Sequence, residues 1–240
     1  MSVQTKNKVF HASETRGLAD HGWLVSRHTF SFANYYNPDR VHFGALRVLN
    51  DDIVKSGKGF GTHPHDNMEI ISIPISGSLA HKDSTGNERE IKTGEVQIMS
   101  AGSGIQHSEY NHSKIDDVNF LQIWILPKER NIAPRYDQKD FSDAFKTDEM
   151  VTVVSPIKKE AVWINQDAEL SIGHLSKGVK FSHKLQFKGN AIYAFVIEGE
   201  VKVNQTELHR RDAAGFFGPK QIEVEVVKDS KLLLIEIPKI

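Results

Sequence analysis

The sequence predicts an all-β chain built as two β-rich halves, and three observations carry that reading. Apolar residues recur with a period of two rather than 3.6. The alternating runs are short and end at turn residues. No long amphipathic helical stretch competes with them; the best short helix candidate is DFSDAF at 140–145. Many short strands at such spacing fold as sandwiches or barrels.

In chain order, the first half offers GALRVLN (44–50), EIISIPIS (69–76), EVQIM (95–99) and NFLQIWIL (119–126) as strands. Turns follow from Ser76-Gly77 and Thr85-Gly86-Asn87, residue types that accept the tight backbone a reversal needs. The stretch 127–150 is polar, charged and carries two prolines, so it reads as a connection. The second half offers VTVVS (151–155), AIYAFVIEG (191–199), EVKVN (200–204), IEVEVV (222–227) and KLLLIEI (231–237), with turns at Glu198-Gly199 and Asp229-Ser230. Each half has a strand running into a Gly turn, Ile75-Ser76-Gly77 and Ile197-Glu198-Gly199, which points to duplication. The expected units are 1–130, a connecting segment 131–150, and 151–240.

Of 240 residues, 39% are hydrophobic and 25% charged, enough for a globular core. Net charge is −1, from 30 basic and 31 acidic side chains, and no basic stripe appears, so no direct nucleic-acid partner is expected. No cysteine is present, which excludes disulfides, thiolate metal sites and cysteine nucleophiles. The N-terminal residues lack the apolar core of a signal peptide and no apolar run is long enough for a membrane span. A cytoplasmic monomer without a membrane partner is the expectation. There is no Gly-x-Ser-x-Gly elbow, no phosphate-cradling Gly loop and no dinucleotide fingerprint.

Twelve histidines are present, and four chemistry-bearing residues among the candidates come in pairs. His63 and His65, in Gly61-Thr62-His63-Pro64-His65, are two apart and share a face if the segment is a strand. His107 and Glu109, after the Gly-rich turn Ala101-Gly102-Ser103-Gly104, are also two apart. A lone His-x-His is more often a surface pair than a ligand pair. A second pair about forty residues on makes a centre of three imidazoles and a carboxylate, suited to one divalent first-row metal such as Fe, Mn, Ni, Cu or Zn. Four protein ligands leave an octahedral ion two open positions, whereas a tetrahedral zinc would be closed. Parity leaves the carboxylate open, because Glu69 lies an even number of residues beyond His65.

The run HPHDNME, then Gly77, then GEVQIMSAGSGIQHSEYN (94–111) resembles the pirin family of two-cupin proteins. It approaches the cupin signatures His-x-His-x(3–4)-Glu…Gly and Gly-x5-Pro-x-Gly-x2-His-x3-Asn. Ser100 replaces the usual proline and two extra residues precede His107, while His107-x3-Asn111 is intact. HGWLVSRHTFSFANYYNPDR (21–40) and FGALRVLNDD (43–52) also look like the pirin N-terminal block. The resemblance covers 10–136 densely and the rest thinly, and is greatest to bacterial pirin-like proteins with quercetin 2,3-dioxygenase activity.

That resemblance implies two cupin (double-stranded β-helix, jelly-roll) barrels, with metal only in the first. It makes Glu109 the carboxylate ligand beside His63, His65 and His107, and Fe(II) the first choice of ion, with Zn, Mn, Ni or Cu as alternatives. Glu109 and Glu69 are then the candidate catalytic carboxylates, Glu69 orienting a ligand histidine or serving as a base near substrate. The substrate would be a flavonol such as quercetin, with dioxygen. The other implied function is a non-catalytic, metal-containing redox sensor with a protein partner. Among the remaining residues, His81 reads as structural, His112 as solvent-facing, and His28, Phe30, Phe32 and Phe43 as core in preference to a barrel mouth. His174, His183 and His209 are scattered, so the second half reads as metal-free.

Overall fold

The computed structural model describes residues 7–146 and 148–240. Among them, nineteen strands form three antiparallel sheets, and there is no α-helix. The helix expected at 140–145 is a single 3-10 turn at Ala144–Lys146, too short to repay helix nucleation and held by burial of Phe145.

The N-terminal cupin is made of two sheets. One has seven strands, in the order Arg135–Asp140, Glu95–Ser100, Glu69–Ser76, Val118–Ile125, Leu46–Val54, Leu24–His28 and Gly17–Asp20. The other has four: Gly59–His65, Ile105–Asn111, Ser78–Asp83 and Glu88–Lys92. Leu79 and Ile91 of the small sheet pack with Leu24, Val54, Val118 and Phe120 of the large one. Gly77 joins the two sheets with φ +76°, a conformation that glycine adopts without strain.

The C-terminal cupin is one eight-stranded sheet built on two long strands, Ala191–Val203 and Gln221–Ile237. Each contains what the sequence pattern separates into two strands. In the first, the expected break at Gly199 (φ +88°) is a local shift of register; in the second, Ser230 lies buried within the strand. An irregularity of this kind bends a strand without ending it, and so reads locally as a turn.

The halves interlock. Lys8–His11 pairs with Ala213–Phe217 of the C-terminal sheet, and Arg135–Asp140 is an edge strand of the N-terminal sheet. One continuous core runs through both, including Phe30, Phe43, Ile71 and Ile123 from the first and Ile172, Tyr193 and Leu233 from the second. Each large side chain fully buried there is worth roughly 1.5–3 kcal/mol. Tyr193 packs 5.2 Å from Phe43 and 5.8 Å from Phe30, ring to ring. Phe30 and Phe43 are thus core residues, as their pattern indicates.

Candidate metal centre

The small sheet of the N-terminal cupin gathers the titratable side chains. Ile105–Asn111 is its pivot, paired on one side with Gly59–His65 and on the other with Ser78–Asp83. Alternation along the pivot buries His107 and Glu109 and exposes Gln106 and Tyr110. His107 lies opposite His63, and the register slips between His107 and Glu109, so the neighbouring strand carries one extra residue there. Such a bulge re-aims the side chains beside it.

The three imidazoles converge. Ring centroids are 4.8 Å apart for His63 and His65, 4.5 Å for His63 and His107, and 4.9 Å for His65 and His107. Nδ1 of His63 lies 2.7 Å from the Gly61 carbonyl, so the proton sits on Nδ1 and Nε2 offers its lone pair. That Nε2 is 3.1 Å from Nε2 of His107. Nε2 of His65 and Nδ1 of His107 are buried with no hydrogen-bond partner. Burial, then the neighbouring imidazoles, pushes His65 down to about 4 and His107 down to about 3, so both rings are neutral at neutral pH. Neutral, converging imidazoles with unpartnered nitrogens fit a divalent first-row ion.

Glu109 is 2% exposed. Ser72 Oγ donates to its Oε1 at 2.8 Å and Gln122 Nε2 to its Oε2 at 2.7 Å, both from the facing sheet. His81, on the strand beside it, joins Glu109 and His107 in a second group whose ligand atoms lie within 4.8 Å of one another. Glu69 belongs to neither group. Its Oε2 accepts from Ser100 Oγ at 2.8 Å and from the backbone N–H of Asn165 at 3.1 Å, so it ties the barrel to the C-terminal half. Burial raises its pKa.

An open cavity of about 460 Å³ adjoins the cluster, lined by His65, Asp66, Ser84, Ser103 and Gln106 among others. Behind His65 stands Trp124, 5.0 Å away edge-on, and behind that Phe32 at 5.3 Å, with His28 a further 5.3 Å on. Phe32 therefore reaches the site through Trp124. Four participants escape sequence reasoning: His81, Ser72, Gln122 and Trp124. The one available signal was His81-x-Asp83, a same-face pair like the other two. His112 is exposed, with a side-chain exposure of 54%.

Residues 9–125 match the family model described as Pirin, and residues 152–237 the one described as quercetinase C-terminal cupin domain. The chain is 42% identical over 226 residues to a quercetin 2,3-dioxygenase of Escherichia coli strain K12, covering 94% of this chain and 96% of that one. It is 39% identical over 222 residues to a pirin-like protein of Caulobacter vibrioides, covering 92% and 95%. Its fold matches a crystal structure of a bacterial pirin from Escherichia coli in complex with nickel(II), with TM-score 0.91, 39% identity, and coverage of 97% and 100%.

Proposed function

The chain belongs to the pirin family, and on that premise we propose that it is a metal-dependent dioxygenase opening the heterocyclic ring of a flavonol, with its ion held by His63, His65, His107 and Glu109. The observation that carries this reading is the convergence of three imidazoles on one another beside an open cavity, with Nδ1–H of His63 donating to the Gly61 carbonyl and so leaving Nε2 free to bind. The relative named for quercetin dioxygenase and the nickel-bound pirin support it. Fe(II) is the proposed ion, with Mn, Ni or Cu as alternatives, since zinc has no redox chemistry.

The ion would supply Lewis acidity toward the flavonol's adjacent oxygens and a redox route to dioxygen. The chain's own residues do the rest. Glu109 would take the flavonol's hydroxyl proton on an oxygen that the ion does not hold, its carboxylate held in position by Ser72 and Gln122. The Gly61 carbonyl fixes the tautomer of His63, and Trp124 and Phe32 brace His65. A cavity of about 460 Å³ lies within the range that holds a drug-sized ligand.

The test is metal analysis of the purified chain with quercetin bleaching followed in air and without it, beside His63→Ala and Glu109→Ala. Oxygen- and metal-dependent bleaching lost in both variants is expected. Stoichiometric metal without turnover would replace the dioxygenase reading with a redox sensor.

A further inference from the structure

The small sheet carries one histidine that the proposed ligand set leaves out. His81 is 1% exposed and directly opposite Glu109 in the strand register. Its Nε2 lies 3.1 Å from Oδ2 of Asp83. Asp83 otherwise collects only donors: the backbone N–H and hydroxyl of Thr85, and the backbone and side-chain N–H groups of Asn87. A carboxylate so surrounded is an acceptor, so the imidazole proton sits on Nε2 and the lone pair on Nδ1. Nδ1 is buried and has no hydrogen-bond partner. A buried acceptor left unfilled is unfavourable. A carboxylate gripping one imidazole nitrogen while the other stays bare is the arrangement that aims a histidine at a metal.

The ligand atoms of His81, His107 and Glu109 lie within 4.8 Å of one another, and all three residues are buried. The rings of His81 and His107 are 5.4 Å apart. Two imidazoles and one carboxylate hold a first-row divalent ion and leave it open positions. We propose that His81, His107 and Glu109 form a second, inner metal position for such a cation, sharing His107 and Glu109 with the outer site that His63 and His65 complete. A single ion then has two places to rest: one beside the open cavity, where His63 and His65 are half-buried, and one among fully buried side chains. The turn at 84–87, which supplies the donors to Asp83, becomes part of the metal centre.

The inference rests on the reading of this chain as a metalloprotein and adds to it a ligand and a location. Cobalt(II) is the probe, followed by calorimetry and by its visible spectrum, with far-ultraviolet circular dichroism to confirm folding. Wild type is compared with His63→Ala/His65→Ala, with the same pair plus His81→Ala, and with His81→Ala alone. The paired variant should still bind one cobalt, more weakly than wild type and with an altered spectrum. Adding His81→Ala should abolish that binding. A folded paired variant that takes up no cobalt, or a triple variant that binds as well as the pair, overturns the proposal. If the paired variant does not fold, His81→Ala alone decides: an altered cobalt spectrum supports the inner position and an unchanged one refutes it. A wild-type chain that binds no cobalt would instead sink the metalloprotein reading itself.

Discussion

His63 and His107 face one another from paired strands, Nε2 to Nε2, at 3.1 Å. Because Nδ1 of His63 donates to Gly61, the proton between the two rings must come from His107. A cation bound to Nε2 of His63 replaces that hydrogen bond, and because the imidazoles converge only in the folded chain, binding and folding are coupled. Thermal unfolding with and without nickel(II) should show the loaded protein more stable by about 2.7 kcal/mol at 100 times the dissociation constant. His107→Ala should remove the difference. A wild-type protein indifferent to nickel would mean that the imidazole cluster is a packing feature.

Gln122 and Ser72 reach Glu109 from the opposite sheet and leave its carboxylate little freedom. Removing the Gln122 amide leaves one carboxylate oxygen without its donor but leaves the imidazoles untouched. Gln122→Ala should weaken nickel binding roughly 10–100-fold with secondary structure unchanged. Affinity equal to wild type in a competition titration with a chelator would remove Glu109 from the ligand set.

Arg211 of the C-terminal cupin lies 2.9 Å from Asp51 of the N-terminal one, with side-chain exposures of 5% and 11%. Breaking so enclosed a contact from one side is costly, because Asp51 stays buried with only Arg16, 3.7 Å away, as its remaining cation. Arg211→Ala should cost about 3–5 kcal/mol in urea unfolding. An Asp51→Asn change in the same chain should restore part of that. A loss under about 1 kcal/mol would show that water reaches the pair.

The strands of the cupins were legible wherever one face is apolar: Glu69–Ser76 and Glu95–Ser100 begin where their alternation begins. Arg135–Asp140 was not, because its sequence RYDQKD carries no alternation and the strand exists through its pairing with Glu95–Ser100. Pairings of this kind also decide the site. Alternation shows that His63 and His65 share a face, and His107 and Glu109 another, but parity is blind to which strands are neighbours. Alternation alone gives His81 a face but no neighbour, and the register sets it opposite Glu109. Glu69 has suitable parity and a suitable place in a cupin signature, yet its carboxylate turns to Ser100, its partner in the same sheet, and to Asn165, a contact that only the docking of the second half creates.

His11 couples the same interface to pH. Its Nδ1 is 2.7 Å from the hydroxyl of Tyr193, and burial, aided by the charge of Arg40, lowers its pKa from 6.5 to about 3. In the folded chain the ring is neutral, while in the unfolded chain it takes a proton below about 6.5. Because the folded value is the depressed one, stability is fully present above pH 6.5 and falls as the pH drops toward 3. The loss from this one group approaches about 1.4 kcal/mol per pH unit within that window. His65 and His107 add to the total in the same direction, so the test is a difference. His11→Asn should be less stable than wild type at pH 7.5, and the gap should narrow by roughly 2 kcal/mol on going to pH 5. A gap that stays constant between the two pH values would show that the ring is protonated in the folded chain, or that water reaches it beside Tyr193.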